Sequence, residues 1–250
     1  MSAQDEDLDV LCSRRDFLEY LDDPAEKSAM VETLGHSRST VDRAISTLTD
    51  KGLVERTDDG YRTTVTGRLA RQRYDAFLED SSEIVRAQPV LDALAPSIEL
   101  PLSAVTDGEV EAIEDRTRLL DVLTETLETA ERYRAVLPAE SDPRHLGLLG
   151  SRLEDGDLDA TIAASEAVYE RGDRTEPRHL AALEDDDVTL LSVSDPAIGA
   201  VLTTQGEGST AMVVAYREGE AVGFVRTSDP DAVARVREYV DRTADAGTER

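Results

Sequence analysis

Apolar residues recur at helical spacing in the first part of the chain and predict three helices, at residues 7–21, 25–34 and 37–51. Pro24 suits the first turn of the second helix. Two β-prone runs follow at residues 53–57 and 61–66, joined by an Asp58-Asp59-Gly60 segment that is typical of a hairpin turn. Thr66 is a good N-cap for a longer helix at residues 67–87. Three helices followed by a hairpin predict a winged helix-turn-helix domain.

The rest of the chain alternates helices with strands and then forms consecutive strands. Prolines at positions 89, 96 and 101 place a boundary between two domains, residues 1–88 and 89–250. A final amphipathic helix begins at Ser228-Asp229-Pro230. Before it, the predicted helices are 116–130, 143–154, 165–171 and 177–183, and the predicted strands are 133–137, 158–163, 188–193, 200–204, 211–217 and 221–226. This order predicts an α/β domain with a mixed sheet, so the fold class of the whole chain is α+β.

The net charge of the chain is −27, from 54 acidic and 27 basic residues, and only Lys27 and Lys51 are lysines. Periodic apolar residues throughout argue against disorder. An acidic, lysine-poor folded protein is typical of a halophile, where molar salt in the cytoplasm shortens the Debye length to ~3 Å. The alternative is an ordinary acidic protein of a GC-rich genome. Under either interpretation the acidic excess is a background that says little about partners.

One segment departs from this acidic background. Residues 36–73 contain eight Lys or Arg and five Asp or Glu, a net charge of +3, which leaves −30 for the rest of the chain. A polyanion such as double-stranded DNA could therefore approach the protein along this segment. The same segment contains the third predicted helix and the hairpin. The charge pattern and the element pattern thus indicate the same function.

The third helix is the predicted recognition helix, at about residues 38–51, and the hairpin at 54–66 is the predicted wing. Val41, Ile45 and Leu48 define its buried face, so the opposite face would meet the major groove. Arginine can bond a guanine edge with two hydrogen bonds, and Ser or Thr can bond phosphates or bases. The candidate DNA-binding residues are Ser37, Arg38, Ser39, Thr40, Asp42, Arg43 and Ser46 on the helix, and Arg56 and Arg62 on the wing. Arg68, Arg71 and Arg73 are either further contacts or solvated surface.

The residues quoted above resemble the winged helix-turn-helix regulators of haloarchaea, which are distantly similar to the ArsR and MarR groups. The matching segment runs from Leu34 to Arg68. The second half is similar to the companion domain of a family named for a methanogenesis regulatory protein, over roughly residues 100–243. Its matching segments are His145-Leu146-Gly147-Leu148-Leu149, Val222-Gly223-Phe224-Val225 and Thr227-Ser228-Asp229-Pro230-Asp231-Ala232. This second resemblance implies an effector or assembly domain distantly similar to the phospholipase D-like fold.

Phosphodiester chemistry on that fold needs a histidine nucleophile followed two residues later by lysine. His145 and His179 lack that lysine, so we expect no enzyme activity and a capping or surface role for both histidines. The Gly206-Glu207-Gly208 segment predicts a hairpin turn, and residues 184–187 predict a solvated acidic loop. No cofactor is predicted and no metal site, because one cysteine and three histidines supply few such ligands. Cys12 is either a redox sensor beside Arg14 and Arg15 or an ordinary core residue.

The sequence therefore predicts a cytoplasmic, sequence-specific transcriptional regulator that binds double-stranded DNA, without a signal peptide or membrane span. We expect a homodimer, with the contact supplied by the helix after the wing or by the second domain. A small-molecule effector could act through the second domain. Two alternatives remain open: a protein-interaction adaptor whose winged helix does not bind DNA, and a phosphodiesterase-like enzyme tethered to DNA.

Overall fold

The computed structural model describes residues 3–94, 98–113, 115–154, 158–175, 183, 188–194 and 196–250. Contacts within the chain group it into two compact units, Met1–Ser82 and Glu83–Arg250. The predicted domain boundary between residues 88 and 89 stays a prediction. Among the described residues, no helix is both long and apolar enough to cross a membrane.

The first unit contains three helices, a two-stranded hairpin and the start of a fourth helix, in the predicted order. They are α1 (Ala3–Tyr20), α2 (Lys27–Leu34), α3 (Arg38–Asp50), β1 (Val54–Thr57), β2 (Gly60–Thr63) and the first part of α4 (Val65–Leu91). Phe17, Leu18 and Leu21 pack with Met30 and with the buried face of α3 in one apolar core. The strands β1 and β2 pair antiparallel, with Thr57 opposite Gly60 at the turn.

The segment before α2 differs from its prediction. Pro24 does not begin a helix, because α2 starts at Lys27 and Ala25 forms an antiparallel bridge with Tyr61. Each of these two residues donates its backbone N–H to the carbonyl of the other at 2.9 Å. Gly60 has a φ of +118°, and a Cβ there would lie 2.5 Å from the Ala25 carbonyl oxygen. The hairpin is therefore tied by a third extended segment, and glycine is required at its turn.

The helix after the wing begins earlier and ends later than predicted. The Thr64 hydroxyl, rather than Thr66, accepts the N-cap hydrogen bond, from the N–H of Gly67 at 3.0 Å. The helix continues through Pro89 to Leu91, where the sequence predicted a linker. Val90 is buried in an apolar cluster of the second unit, which stabilises this last turn despite the proline.

The second unit is built on one mixed sheet, which confirms the predicted fold class. Its elements are α5 (Ser103–Thr106), β3 (Glu109–Ala112), α6 (Arg116–Glu128), β4 (Arg132–Leu137), α7 (Arg144–Glu154), β5 (Asp159–Ser165), α8 (Glu166–Thr175), β6 (Val188–Val193), β7 (Gly199–Gln205), β8 (Gly208–Arg217), β9 (Glu220–Thr227), α9 (Pro230–Asp245) and β10 (Thr248–Glu249). The strand order is β10-β6-β5-β4-β7-β8-β9-β3. Neighbours β4, β5 and β6 are parallel, and the other pairs are antiparallel.

Helices cover both faces of this sheet. Apolar residues of α6, α7 and α8 pack on one face, and those of α9 pack on the other. The predicted start of the final helix is confirmed, since the Asp229 carboxylate accepts a hydrogen bond from the N–H of Ala232 at 2.8 Å and Pro230 is the first helical residue. The predicted turn between β7 and β8 is also confirmed, with Gly206 at a φ of +56°.

His145 lies in the core of the second unit, so the predicted capping or surface role is wrong. Its side chain is 5% exposed, and its Nε2 is hydrogen-bonded to the Tyr133 hydroxyl. Burial lowers the pKa of His145 to about 4, because the charged imidazolium would lose its hydration. Most of the predicted helix at 177–183, His179 and the acidic run 184–187 lie outside the described residues. Cys12 is exposed, so the alternative core role for this residue is also wrong.

Candidate nucleic-acid interface

The N-terminus of α3 is fixed by serine and threonine side chains. The Ser37 hydroxyl accepts a hydrogen bond from the N–H of Thr40 at 3.2 Å, which makes Ser37 the N-cap of the helix. It also lies 3.0 Å from the Ser39 hydroxyl and 2.9 Å from the Thr40 hydroxyl. These contacts hold the first turn of α3 in a defined conformation, which a helix that reads base edges with its first turn requires.

The core of the first unit determines which face of α3 is exposed. Val41, Ala44, Ile45 and Leu48 are buried, so the remaining side chains point away from the core. Ser37, Arg38, Ser39, Asp42, Arg43 and Ser46 are exposed and Thr40 is half-buried. The structure thus brings the candidate residues of the helix to one surface, which we call the recognition face and define as Ser37, Arg38, Ser39, Thr40, Asp42, Arg43 and Ser46.

Neither arginine of the recognition face forms a direct hydrogen bond or ion pair with a carboxylate of the described residues. Arg43 donates from its Nε to the backbone carbonyl of Ser39 at 3.3 Å, one turn earlier in the helix. Arg38 is exposed beside that turn. A guanidinium without an ion pair keeps its planar set of donors available for a base edge or a phosphate.

The carboxylate of the recognition face is engaged instead. Asp42 accepts a hydrogen bond from Lys27 Nζ at 2.7 Å. This hydrogen bond and the charge of Lys27 lower the pKa of Asp42, with a further contribution from the charge of Arg38. Asp42 therefore holds Lys27 at the edge of the face. A contact of Asp42 itself with DNA stays a prediction.

Lys27 is a residue of this surface that the sequence analysis did not identify. It begins α2, and its Nζ lies 5.4 Å from the centre of the Tyr61 ring on β2 as well as beside Asp42. The guanidinium of Arg56 lies 5.8 Å from the same ring. The Tyr61 ring thus contacts two cationic side chains between α3 and the wing. The sequence did contain a signal for this residue, because Lys27 is one of only two lysines, and arginine makes up the rest of the Lys and Arg residues.

The two candidate arginines of the wing differ in their surroundings. Arg62 forms an ion pair with Glu55 on the neighbouring strand, with Nη2 and Oε1 2.8 Å apart. The described residues supply no carboxylate partner for Arg56. Arg56 is therefore the more available of the two for a phosphate contact, whereas Arg62 would first have to leave Glu55.

The arginines that follow the wing also separate by environment. Arg71 is largely buried and pairs with Asp22 at 2.7 Å, while Arg68 donates to the Thr63 carbonyl at 3.4 Å. Arg73 is exposed. Arg71 therefore stabilises the fold, a role that neither of the two interpretations left open for it had given.

Each half of the chain matches a known family model. Residues 6–95 match a model described as the HVO_A0261 N-terminal domain, and residues 117–246 match a model described as the middle domain of the methanogenesis regulatory protein FilR1. No curated protein matches the chain significantly.

Two solved structures are similar over part of the fold. One is TrmBL2, an archaeal chromatin protein whose structure is described as showing a novel mode of DNA binding; it is 12% identical with a TM-score of 0.44, over 90% of this chain and 87% of that one. The other is Nuc, a phospholipase D family member from Salmonella typhimurium, 15% identical with a TM-score of 0.40, over 57% of this chain and 98% of that one. Likenesses this distant carry no argument about function.

Proposed function

We propose that this chain, which belongs to the protein family defined by the middle domain of the methanogenesis regulatory protein FilR1, is an archaeal transcriptional regulator that binds double-stranded DNA through its first unit. In this proposal α3 enters the major groove, and the wing contacts the adjacent backbone or minor groove. The second unit then regulates or assembles the DNA-binding units. The protein acts in a cytoplasm of molar salt, to which its acidic composition is suited.

The observation that carries the proposal is the pair of exposed arginines on α3. The chain has twice as many carboxylates as basic side chains, yet within its described part neither Arg38 nor Arg43 is paired with one. Both stand on a helix whose opposite side is buried and whose first turn is fixed by Ser37. In molar salt, phosphate attraction is weak, so base contacts of this kind must supply most of the specificity.

The experiment compares DNA binding by the wild-type chain with that of an Arg38→Ala, Arg43→Ala double variant in molar KCl. A duplex selected from a randomised pool by the full-length wild type is the probe. A bidentate contact to guanine is worth about 1–3 kcal/mol, so we expect the Kd of the double variant to rise about 100-fold or more. Fluorescence anisotropy of the labelled duplex measures the change.

Arg242→Ala is the matched control. Arg242 is an exposed arginine on α9 in the second unit, so its removal changes the net charge by the same amount as each test substitution. We expect this control to leave the Kd within about twofold, since the removed charge is screened in molar salt. A rise in Kd for Arg242→Ala equal to that for the double variant would contradict the proposal and favour the adaptor alternative. Failure of the wild type to select any sequence from the pool would do the same.

We further propose that the regulator is a homodimer held by α1 and α4. Phe77 and Leu78 on α4 and Leu8 on α1 are 57%, 42% and 53% exposed. Arg15 on α1 pairs with Asp75 on α4 at 2.5 Å, and Asp22, just after α1, pairs with Arg71, one turn earlier on α4, so the two helices run antiparallel. From this register we expect Leu8 to lie about one helical turn beyond Leu78. Large apolar side chains gathered on one surface favour a protein partner.

The distribution of charged residues along α4 favours a second copy of the chain as the partner on this surface. The first half of α4 carries Arg68 and Arg73, and the following turns carry Glu79 and Asp80. When two such helices pack antiparallel about a twofold axis, the basic part of each faces the acidic part of the other. The same symmetry presents two recognition helices to one face of the duplex, as a palindromic operator requires.

Phe77→Glu should convert the dimer to a monomer, because a carboxylate would be buried without a partner in the interface. Light scattering after gel filtration measures the mass. Leu102→Glu is the matched control, as Leu102 is 58% exposed in the second unit and lies outside the surface. A wild-type chain that stays monomeric at all concentrations would exclude the dimer while leaving DNA binding by one unit intact.

The proposal assigns no catalytic step to the second unit. The one described histidine there, His145, is buried and hydrogen-bonded to Tyr133, and its low pKa keeps it neutral. A catalytic nucleophile must be accessible to its substrate, and a buried side chain is not. Incubation of the full chain with nucleotide diesters, with no release of product, is the expected result, and turnover that His145→Gln abolishes would contradict it.

A further inference from the structure

A cleft of about 1060 Å³, lined by polar and apolar groups in similar measure, lies at one end of the sheet in the second unit. The turn between β7 and β8 enters it, and its walls come from the end of α6, the first turns of α9 and residues 107–109. We call this the end cleft. Its volume matches that of small-molecule sites in other proteins.

The side chains on one face of the sheet change from apolar to polar where this face borders the end cleft. The neighbouring strands β7, β8 and β9 bury large apolar side chains under α6, and two residues away on each strand, toward the cleft, the same face is polar. The buried residues are Val201, Met212 and Phe224, and the polar residues two positions from them are Thr203, Thr210 and Arg226. The polar layer is thus set by the strand alternation and faces the cleft.

Carboxylates outnumber arginines in the lining of the cleft. Arg226 donates from its Nε to Glu109 at 2.8 Å and has Glu125 at 3.7 Å. Arg237 donates to the Ser209 hydroxyl at 3.3 Å, a neutral partner that leaves its charge in place. Two further carboxylates also line the cleft, those of Asp107 and Glu207. The lining therefore carries a net negative charge, which disfavours a phosphate or carboxylate ligand although Arg237 has no carboxylate partner among the described residues.

The remaining polar groups of the cleft are mostly hydroxyls. Thr204 and Ser209 face each other at 3.4 Å, and Thr210 and Ser228 at 3.1 Å. A hydroxyl both donates and accepts, so such pairs can exchange their mutual hydrogen bond for bonds to a ligand that also donates and accepts. The described lining contains no aromatic side chain on which a nucleobase would stack. An apolar ligand would leave these hydroxyls without partners, at a cost in binding free energy.

We infer that the end cleft binds a small, neutral, polyhydroxylated molecule, of the class of sugars and polyols. As the effector site of a regulator, this inference rests on the proposed function, but binding itself does not depend on it. The end cleft lies in the segment that matches the family's middle domain, apart from residues 107–109. Because the contacts are neutral hydrogen bonds, affinity for the ligand stays the same from low to molar salt, unlike that of an ionic ligand.

Isothermal titration calorimetry of the full-length chain tests the inference. The probes are glucose, trehalose and glycerol, together with inorganic phosphate and spermidine as charged comparisons. We expect saturable binding of at least one of the three neutral probes, with an affinity that is unchanged between dilute and molar KCl. Binding of phosphate or spermidine alone, or no saturation by any neutral probe, would overturn the inference.

Two threonines of α6 supply a matched pair of variants. The Thr126 hydroxyl donates to the Val122 carbonyl at 2.6 Å and lines the cleft, whereas the Thr124 hydroxyl donates to the Leu120 carbonyl at 2.8 Å and does not. Thr126→Val and Ser209→Ala should each raise the Kd of the neutral ligand about fivefold or more, since each removes a hydrogen bond. Thr124→Val should leave the Kd unchanged. Equal effects of the two threonine variants would also overturn the assignment.

The DNA-binding assay on the same preparation separates the two proposals. If the chain binds its selected duplex but no neutral probe, the end cleft assignment fails alone. If it binds the probe but no DNA, the regulator assignment fails and the cleft remains. A ligand that both binds the cleft and changes the Kd for DNA, with loss of both effects in Ser209→Ala, supports the two together.

Discussion

Arginines on two sides of the first unit have opposite surroundings. At the junction of α1 and α4, Arg15 and Arg71 both contact Asp75, at 2.5 and 3.7 Å, and Arg71 also pairs with Asp22. On the recognition face, Arg38 and Arg43 are exposed without a carboxylate partner among the described residues. The junction arginines thus join elements of the fold, and the recognition arginines remain available to a ligand.

This difference shows what residue counting leaves out. Composition and the local charge of residues 36–73 treat Arg71 and Arg43 alike, although one is 15% exposed and ion-paired and the other is not. Position relative to carboxylates on other elements decides the role of each. Substitutions on the two sides should therefore separate into losses of stability and losses of affinity.

The largest expected effect concerns a buried titratable group and extends the comparison to the second unit. Because the pKa of His145 is lowered to about 4 in the folded chain, the unfolded chain binds a proton there first, at about pH 6.5. Stability from this group is complete above pH 6.5 and is lost as the pH falls toward 4, by about 3 kcal/mol in total. Urea unfolding at a series of pH values measures it.

His145→Gln is the comparison for that measurement. Glutamine keeps a hydrogen-bonding group near Tyr133 and has no proton to gain in this range. Its free energy of unfolding should vary less between pH 7 and 5 than that of the wild type, by about 2 kcal/mol. If the free energy of unfolding changed equally with pH in the wild type and in His145→Gln, the imidazole would not stay neutral in the folded core.

Arg71→Ala tests the junction side and should destabilise the first unit by about 2 kcal/mol, since Asp22 and Asp75 lose a largely buried partner. Arg43→Ala on the recognition side should change the stability by less than about 0.5 kcal/mol. Thermal unfolding followed by circular dichroism provides both values. The comparison fails if the two substitutions destabilise the protein equally.

The smallest expected effect is that of Asp42→Asn. Its pair with Lys27 is exposed, so the free energy of unfolding should stay nearly unchanged. Removing a carboxylate from the recognition face should tighten DNA binding about twofold, a modest gain because molar salt screens the charge. Asp50→Asn, at the other end of α3, is the matched control in the same anisotropy assay and should leave the Kd unchanged.

Periodicity was sufficient to predict α3 and its exposed face, because four buried residues at helical spacing fix the orientation of a helix. It was not sufficient where contacts distant in sequence decide the structure. Pro89 marked a linker by its own chemistry, but packing of Val90 in the second unit keeps the last turn of α4 helical. Pro24 indicated a helix start, and pairing of Ala25 with Tyr61 made the segment extended instead.

The same reason explains what the sequence missed at the sites. His145 follows Pro143 and Arg144, a pattern typical of a helix start at the surface, and only the packed sheet shows that its ring is enclosed beside Tyr133. The short strand β3 was not predicted, and only the structure shows that its Glu109 and Glu111 pair with Arg226 and Arg118. Lys27 joins the recognition face through Asp42, a partner 15 residues away.

The bridge between Ala25 and Tyr61 has a consequence for the proposed DNA complex. It fastens the hairpin to the segment that leads into α2, so we expect the hairpin to keep a fixed position relative to α2 rather than to swing on its own. Under the proposed function, an operator whose flank is displaced by a single base pair should bind less tightly, because the hairpin cannot follow the shift.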